Sequence, residues 1–218
     1  MSTYIDIHTH GFAKDEDFAI VNHYHHYSIA TNNMPCSIGL HPWYLAGIDI
    51  DHALGEIRKY ASLPNVYAIG ECGLDKVVSN DLLLQEQVFK AQIHVAKEVQ
   101  KPLIIHCVKA YDEVMQLLRK HAAGQAAVMH GYNRNARLAQ QLLDKGHYLS
   151  FGSALFLNNT SVEESLVLAY PDQFFLETDD SDVSIEDVYA TAASILGVSI
   201  EIVIEQVNKN FKQVFDHE

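Results

Sequence analysis

The chain has 218 residues, with 15 Lys plus Arg against 28 Asp plus Glu and a formal charge of −13. That sign excludes a protein that coats nucleic acid electrostatically, and no apolar run approaches the length needed to cross a membrane. Thirteen histidines are a rich supply of metal ligands and titratable groups.

The length suits a single domain spanning 1–218, large enough to bury a core without disulfide or metal staples. Cys36, Cys72 and Cys107 form no paired or CxxC spacing, and each sits in or beside an apolar run. They read as reduced core or near-core thiols. Residues 1–10 lack the basic start and apolar stretch of a signal peptide, so a cytoplasmic location is expected.

In chain order, strands are predicted to start near Tyr4 (YIDI), Phe18 (FAIVNH), Cys36 (CSIG) and Val66 (VYAIG). Four more follow near Leu103 (LIIH), Ala126 (AAVMH), Tyr148 (YLSF) and Phe174 (FFLET). Between them, Ser79-Asn80-Asp81 can cap a helix in which Leu84, Val88, Ala91, Val95 and Val99 recur at helical spacing. Pro102 breaks it before the next strand. Val114, Leu117, Leu118 and His121 mark a second helix, and Leu138, Ala139, Leu142 and Leu143 a third that ends at Gly146. Two further helical stretches fall near 185–196 and 200–215.

Strands alternating with helices imply parallel pairing through right-handed crossovers. Eight of them predict an α/β fold, a distorted (βα)8 TIM-type barrel. Only about ten residues separate the first two strand candidates, too few for a crossover helix, so the first helix is expected to be missing. An open doubly wound sheet is the alternative.

Active sites of such barrels gather where the strands end, and here polar residues end apolar runs repeatedly. IDIHTH sets His8 and His10 on one strand face at period two; alone, HxH also describes surface histidines. The fourth strand ends in GECGLD, bringing Glu71 and Asp75, the fifth at His106 and the sixth at His130. The eighth ends in FFLETDD, with Glu177, Asp179 and Asp180. Each is individually compatible with a capping, loop or hydrogen-bonded role. Together, four imidazoles and two carboxylates at the ends of strands 1, 4, 5, 6 and 8 are a ligand mix for divalent metals and enough for two ions.

These residues resemble the TatD family of metal-dependent deoxyribonucleases, within the amidohydrolase-like barrels. The resemblance runs through IDIHTH, GLHPW at 39–43, GECGLD at 70–75, KPLIIHC at 101–107, HGY at 130–132 and ETD at 177–179, and it ends in NKNFKQVF. It implies two divalent ions (Zn, Mg or Mn), one held by His8, His10 and Asp179. The other would be held by His106 and His130, with Glu71 bridging. It further implies that Asp179 orients or deprotonates the attacking water. His41 is placed at a substrate phosphate or in the turn before Pro42, and Trp43 and Tyr44 either stack a base or pack a loop.

Four departures touch the expected substrate pocket and none touches a ligand. Val108 stands where the family usually carries Arg, with Lys109 beside it, and Lys76 replaces an aromatic residue after GLD. Asp180-Ser181-Asp182 replaces a proline-containing segment. The stretch between His10 and GLHP is about one helix short. Lys76, Lys109, Arg134 and Arg137 are the cations available for phosphate; ordinary surface charge is the other reading of each. The cluster HYHHY at 23–27 is read as solvated aromatics rather than a metal site. The resulting expectation is a hydrolase of DNA ends, or of a small amide, lactone or phosphate ester. A non-catalytic metal scaffold is disfavoured by Asp179.

Overall fold

The computed structural model describes residues 4–11, 17–78 and 81–215. The strands are β1 (Ile5–Thr9), β2 (Phe18–His23), β3 (Cys36–Ile38), β4 (Val66–Asp75), β5 (Leu103–Val108), β6 (Ala127–Met129), β7 (Tyr148–Phe151) and β8 (Phe174–Leu176). The helices are α1 (Ile50–Tyr60), α2 (Leu82–Glu98), α3 (Tyr111–His121), α4 (Ala136–Leu143), α5 (Thr160–Ala169), α6 (Ile185–Leu196) and α7 (Ile200–Phe215). This is the strand–helix alternation of a (βα)8-type barrel. No helix stands between β1 and β2 among the described residues. Two compact units compose the chain, residues 1–21 with 128–218, and residues 22–127.

All eight strands fall where apolar runs placed them. Helices α1 and α5 were not singled out from the sequence. Each begins at a side-chain cap, Asp49 accepting from His52 N at 3.0 Å and Asn159 from Ser161 N at 3.1 Å. In α5 the buried Val162, Ser165, Leu166 and Ala169 do keep helical spacing, but neighbouring exposed Leu157, Val167 and Leu168 blur the stripe. For α2 the cap is Asp81, which accepts from Leu83 N at 2.9 Å; Ser79 and Asn80 lie outside the described residues. Gly146 has φ 78° after α4, the left-handed turn expected of it.

In the unit formed by 1–21 and 128–218, β1 pairs with β2, β6 with β7 and β7 with β8, all parallel. Just beyond β8, Asp179 forms a parallel bridge with Thr9. Asp179 N donates to His8 O at 3.0 Å and His10 N donates to Asp179 O at 3.0 Å. The first strand therefore joins the last, which a closed barrel requires and an open doubly wound sheet does not provide. The open-sheet alternative is excluded on this bridge.

Buried polar groups reinforce the same seam. Asp6 Oδ1 accepts from His8 N and Thr178 N, both at 3.2 Å, and Thr178 Oγ1 donates to Asp6 Oδ2 at 2.6 Å. The Tyr189 hydroxyl donates to Ile5 O at 2.9 Å and accepts from Ile5 N at 3.1 Å. On α7, Asn210 is wholly buried, and its Nδ2 donates to Pro171 O at 2.9 Å and Phe174 O at 3.0 Å. Phe211 packs edge-on to Phe18 and stacks on Phe215.

In the unit of residues 22–127, β3 pairs with β4 and β4 with β5, again parallel. Helix α2 covers them with Val88, Phe89, Ile93, Val95 and Ala96. Gln85 and Gln92, seven residues apart and so on one helix face, each clasp a strand-end residue by both its main-chain groups. Asp75 N donates to Gln85 Oε1 at 2.8 Å and Gln85 Nε2 donates to Asp75 O at 3.0 Å. Leu40 N donates to Gln92 Oε1 at 2.7 Å and Gln92 Nε2 donates to Leu40 O at 3.1 Å. Gly73 has φ 143°, and a Cβ there would collide with His106 O, so only glycine allows β4 and β5 this approach.

Cys36 and Cys72 are buried free thiols, and Cys107 is half-buried. Among the described residues no single helix is long and apolar enough to cross a membrane.

Replacing Asn210 with alanine takes this donor from the Pro171 carbonyl and the buried Phe174 carbonyl and is expected to cost about 2 kcal/mol. Urea unfolding should show this as a lower midpoint; an unchanged midpoint would refute the anchoring role. Asp6 makes a pH-dependent contribution. Burial, with a smaller push from Glu177, raises its carboxyl from 3.8 to about 7, so the folded chain holds this proton more tightly than the unfolded chain. Its contribution is complete below about pH 4 and is lost as pH rises through about 7. In chelator, the stability of wild type relative to Asp6→Asn should therefore fall between pH 4 and pH 7, and a flat difference would contradict this.

Candidate metal centre

In the unit of 1–21 and 128–218, His8, His130 and Asp179 each offer a donor atom within 4.8 Å of the others. His8 on β1 and His10 just beyond its end point the same way at period two, and both Nε2 atoms lie 3.5 Å from Asp179 Oδ1. His8 is buried, whereas Asp179 retains 35% of its side-chain exposure. The backbone of Asp179 is left-handed at φ 55°, a conformation costly for a non-glycine residue. Its two main-chain bonds to β1 hold it there.

His130 is oriented by Glu177, which is wholly buried. Gly131 N donates to Glu177 Oε1 at 2.6 Å, and His130 Nδ1 lies 3.4 Å from the same oxygen. A ring that gives its Nδ1–H to a carboxylate keeps the Nε2 lone pair for a metal. The His130 and His8 rings are 4.4 Å apart between centroids. Glu177, one of the three acidic residues that follow β8, is thus a buried partner of His130.

In the unit of residues 22–127, buried His41, Glu71 and His106 form a second group within 4.8 Å. His41 Nδ1 accepts from Trp43 N at 3.1 Å, so the proton of a neutral His41 resides on Nε2, 3.1 Å from Glu71 Oε1. His41 therefore donates to Glu71. His106 is arranged the opposite way. Its Nε2 lies 3.0 Å from Asp75 Oδ2, and its Nδ1 faces Glu71 Oε1 at 2.7 Å. With Nε2–H given to Asp75, a nitrogen lone pair meets a carboxylate oxygen, a contact relieved by the His41 Nε2–H, 3.3 Å from His106 Nδ1, or by a cation held between them.

Asp75 is held for this task. Its Oδ2 also accepts from Trp43 Nε1 at 2.7 Å and its Oδ1 from Val77 N at 2.8 Å. Burial works to raise its carboxyl, but the bonds from Trp43, His106 and Val77 outweigh this and hold it below its ordinary value. Glu71 is positioned by Asn22 on β2. Asn22 Oδ1 accepts from Glu71 N at 2.7 Å and from Ser37 Oγ at 3.1 Å, and Asn22 Nδ2 donates to Glu71 Oε2 at 3.4 Å.

Both groups suit a divalent metal by donor chemistry: imidazole and carboxylate donors converge, and carboxylates orient His106 and His130. Sequence reasoning missed the roles of Asn22, Gln85 and Gln92 and gave Asp75 no role. The available signal was their polarity within otherwise apolar patterns, such as Asn22 in FAIVNH.

The expected substrate contacts fall differently. His41 is buried against Glu71 and His106. Lys76 Nζ is paired with Glu113 Oε1 at 2.6 Å. Lys109 is exposed, with φ 56°. Arg134 is partly buried and Arg137 exposed near the start of α4. Trp43 is tied to Asp75, and Tyr44 stacks on Tyr24 at 4.5 Å.

Comparison with known proteins places this geometry in a family. Residues 16–216 match the family model described as TatD related DNase. A metal-dependent hydrolase of Buchnera aphidicola subsp. Baizongia pistaciae is 28% identical over 200 residues, covering 84% of this chain and 75% of that protein. The metal-dependent hydrolase YabD of Bacillus subtilis is 33% identical over 147 residues, 66% of this chain and 57% of YabD. Both are described as uncharacterized. Among solved structures, the TatD homolog YJJV of Escherichia coli K12 is similar with a TM-score of 0.85, at 19% identity and with 100% of each chain covered; the likeness bears on the fold. Since the family match takes in all but the two ends of the sequence, the chain belongs to the TatD related DNase family.

Proposed function

We propose that this chain is a divalent-metal-dependent hydrolase of phosphodiester bonds, acting on the ends of single-stranded DNA. The observation that carries the reading is the pair of carboxylate–imidazole groups, each built into its own unit with buried orienting partners. Family membership supports the choice of bond.

In this reading His8, His10, His130 and Asp179 serve one ion and Glu71 and His106 serve another. Divalent ions so held would supply Lewis acidity toward a phosphoryl group and make water more acidic. The chain's own groups do the rest. Asp179, the partly exposed carboxylate, takes the proton of the attacking water. His41 presents Nε2–H and can transfer that hydrogen bond from Glu71 to a phosphate oxygen. Asp75 and Glu177 keep His106 and His130 in the tautomers that leave a lone pair for ligation.

A second reading keeps the groups and changes the bond to a small amide, lactone or phosphate ester. It is favoured by the charge of −13 and by the Lys76–Glu113 pair, which withdraws a cation expected at the phosphate.

The test couples metal content to cleavage. Wild type, His106→Ala and Asp179→Ala are compared for bound metal, then incubated with labelled single-stranded DNA and Mg²⁺, Mn²⁺ or Zn²⁺. Metal-dependent shortening, reduced at least a hundredfold in both variants, is expected. Bound metal with intact DNA and turnover of small esters would move the assignment to the second reading. Asn22→Ala should leave the chain folded but lower metal affinity or turnover by about 10- to 100-fold, as loss of a partner orienting a ligand does. Equal activity of this variant would remove Asn22 from the site.

A further inference from the structure

A cavity of about 810 Å³ lies within the unit of residues 22–127, and the metal chemistry uses none of it. It is lined by Tyr24, His25 and His26 from the HYHHY segment, by Tyr44, and by Asp49 and His52 at the start of α1. Its volume is in the range of sites for small organic ligands. Tyr24 and Tyr44 stack at 4.5 Å with 19° between their planes, and Tyr44 is 43% exposed. Tyr44 also meets His41, with ring centroids 5.5 Å apart and the planes tilted by 46°. The cavity therefore begins one ring away from the His41–Glu71–His106 group.

The lining chemistry selects the ligand. Among the described residues that line the cavity there is no Lys or Arg, while Asp49 and Glu56 are present. A phosphate would meet the Asp49 and Glu56 carboxylates, and Lys59 is already paired with Glu56 at 3.4 Å, so the cavity is unsuited to the nucleic-acid backbone. A planar heterocycle fits on each count. It can stack on a tyrosine face. The ring nitrogens of His25, His26 and His52 offer hydrogen-bonding groups to its edge. Asp49 and Glu56 accept from amino groups, which adenine, cytosine and guanine carry and thymine lacks.

We propose that the Tyr24–Tyr44 cavity is a nucleobase subsite that seats an amino-bearing base of the substrate beside the metal groups. The inference deepens the phosphodiesterase reading and rests on it. It gives the HYHHY segment a function and makes the enzyme selective by base. Tyr44 stacks on the base, and the Asp49 and Glu56 carboxylates discriminate among bases.

The test uses uncharged nucleosides with the full chain in chelator, so neither metal nor phosphodiester contributes. Ligand-observed NMR titration with deoxyadenosine, deoxycytidine and thymidine measures the cavity alone. Wild type should bind the first two about fivefold or more tighter than thymidine. Tyr44→Leu should weaken all binding about tenfold, whereas Tyr44→Phe, which keeps the stacking face, should retain it. Asp49→Asn keeps the cap of α1, and combined with Glu56→Gln it should erase the preference over thymidine. Equal affinity for the three nucleosides, or unchanged binding in Tyr44→Leu, would overturn the proposal. A parallel cleavage assay with metal on homopolymeric oligonucleotides separates the two readings. Selective nucleoside binding without DNA cleavage would reject the phosphodiesterase reading and leave the base site standing. Cleavage without nucleoside selectivity would do the reverse.

Discussion

A neutral imidazole has one N–H and one lone pair, and a metal-binding histidine must have the N–H committed elsewhere before its lone pair can be aimed. Much of the site's surroundings follows from that constraint. Asp75 takes the His106 Nε2–H and Glu177 lies against His130 Nδ1, so each ring is turned with a nitrogen toward its group. His41 is set by the reverse arrangement, a main-chain N–H occupying Nδ1 and leaving Nε2 as a donor. Two histidines of one group thus have opposite roles, one presenting a lone pair and the other a proton.

Such tautomers persist only if the carboxylates themselves cannot move. Gln85 grips Asp75 by its own N–H and C=O, and Trp43 Nε1 and Val77 N bind its side chain. Asn22 uses one oxygen for Glu71 N and Ser37. Removing any one of these leaves a buried polar group unsatisfied, a loss of about 1–3 kcal/mol. The scaffold around the ligands is consequently a set of amide side chains reading main-chain positions, with glycine at 73 admitting the close contact of β4 and β5.

The seam between the first and last strands serves the other group in the same manner. The bridge from Thr9 to Asp179 makes the barrel closure and fixes a carboxylate at φ 55°, within 3.5 Å of both His8 and His10. Fold closure and ligand placement here share the same pair of main-chain hydrogen bonds, so the aspartate cannot leave the histidines without opening the strands.

What the sequence by itself determined is the list of elements and the residues at their ends. Short apolar runs broken by polar residues are a local pattern, and period two places His8 and His10 on one face whatever lies around them. All eight strands and the His, Glu and Asp ends were legible for that reason. Helices α1 and α5 were less so, because their stripes are short and run into neighbouring apolar residues. Only the tertiary structure decided the partners. Asn22 meets Glu71 49 residues away, Gln92 meets Leu40 across 52, and Thr178 meets Asp6 across 172. It also set His41, which caps the turn at Pro42 through Trp43 N, beside Glu71, tied Lys76 to Glu113, and turned a run of histidines and tyrosines into the wall of a cavity. Residue periodicity encodes which way a side chain leaves its own strand; which group it meets depends on chain closure over long separations, and that information is not local.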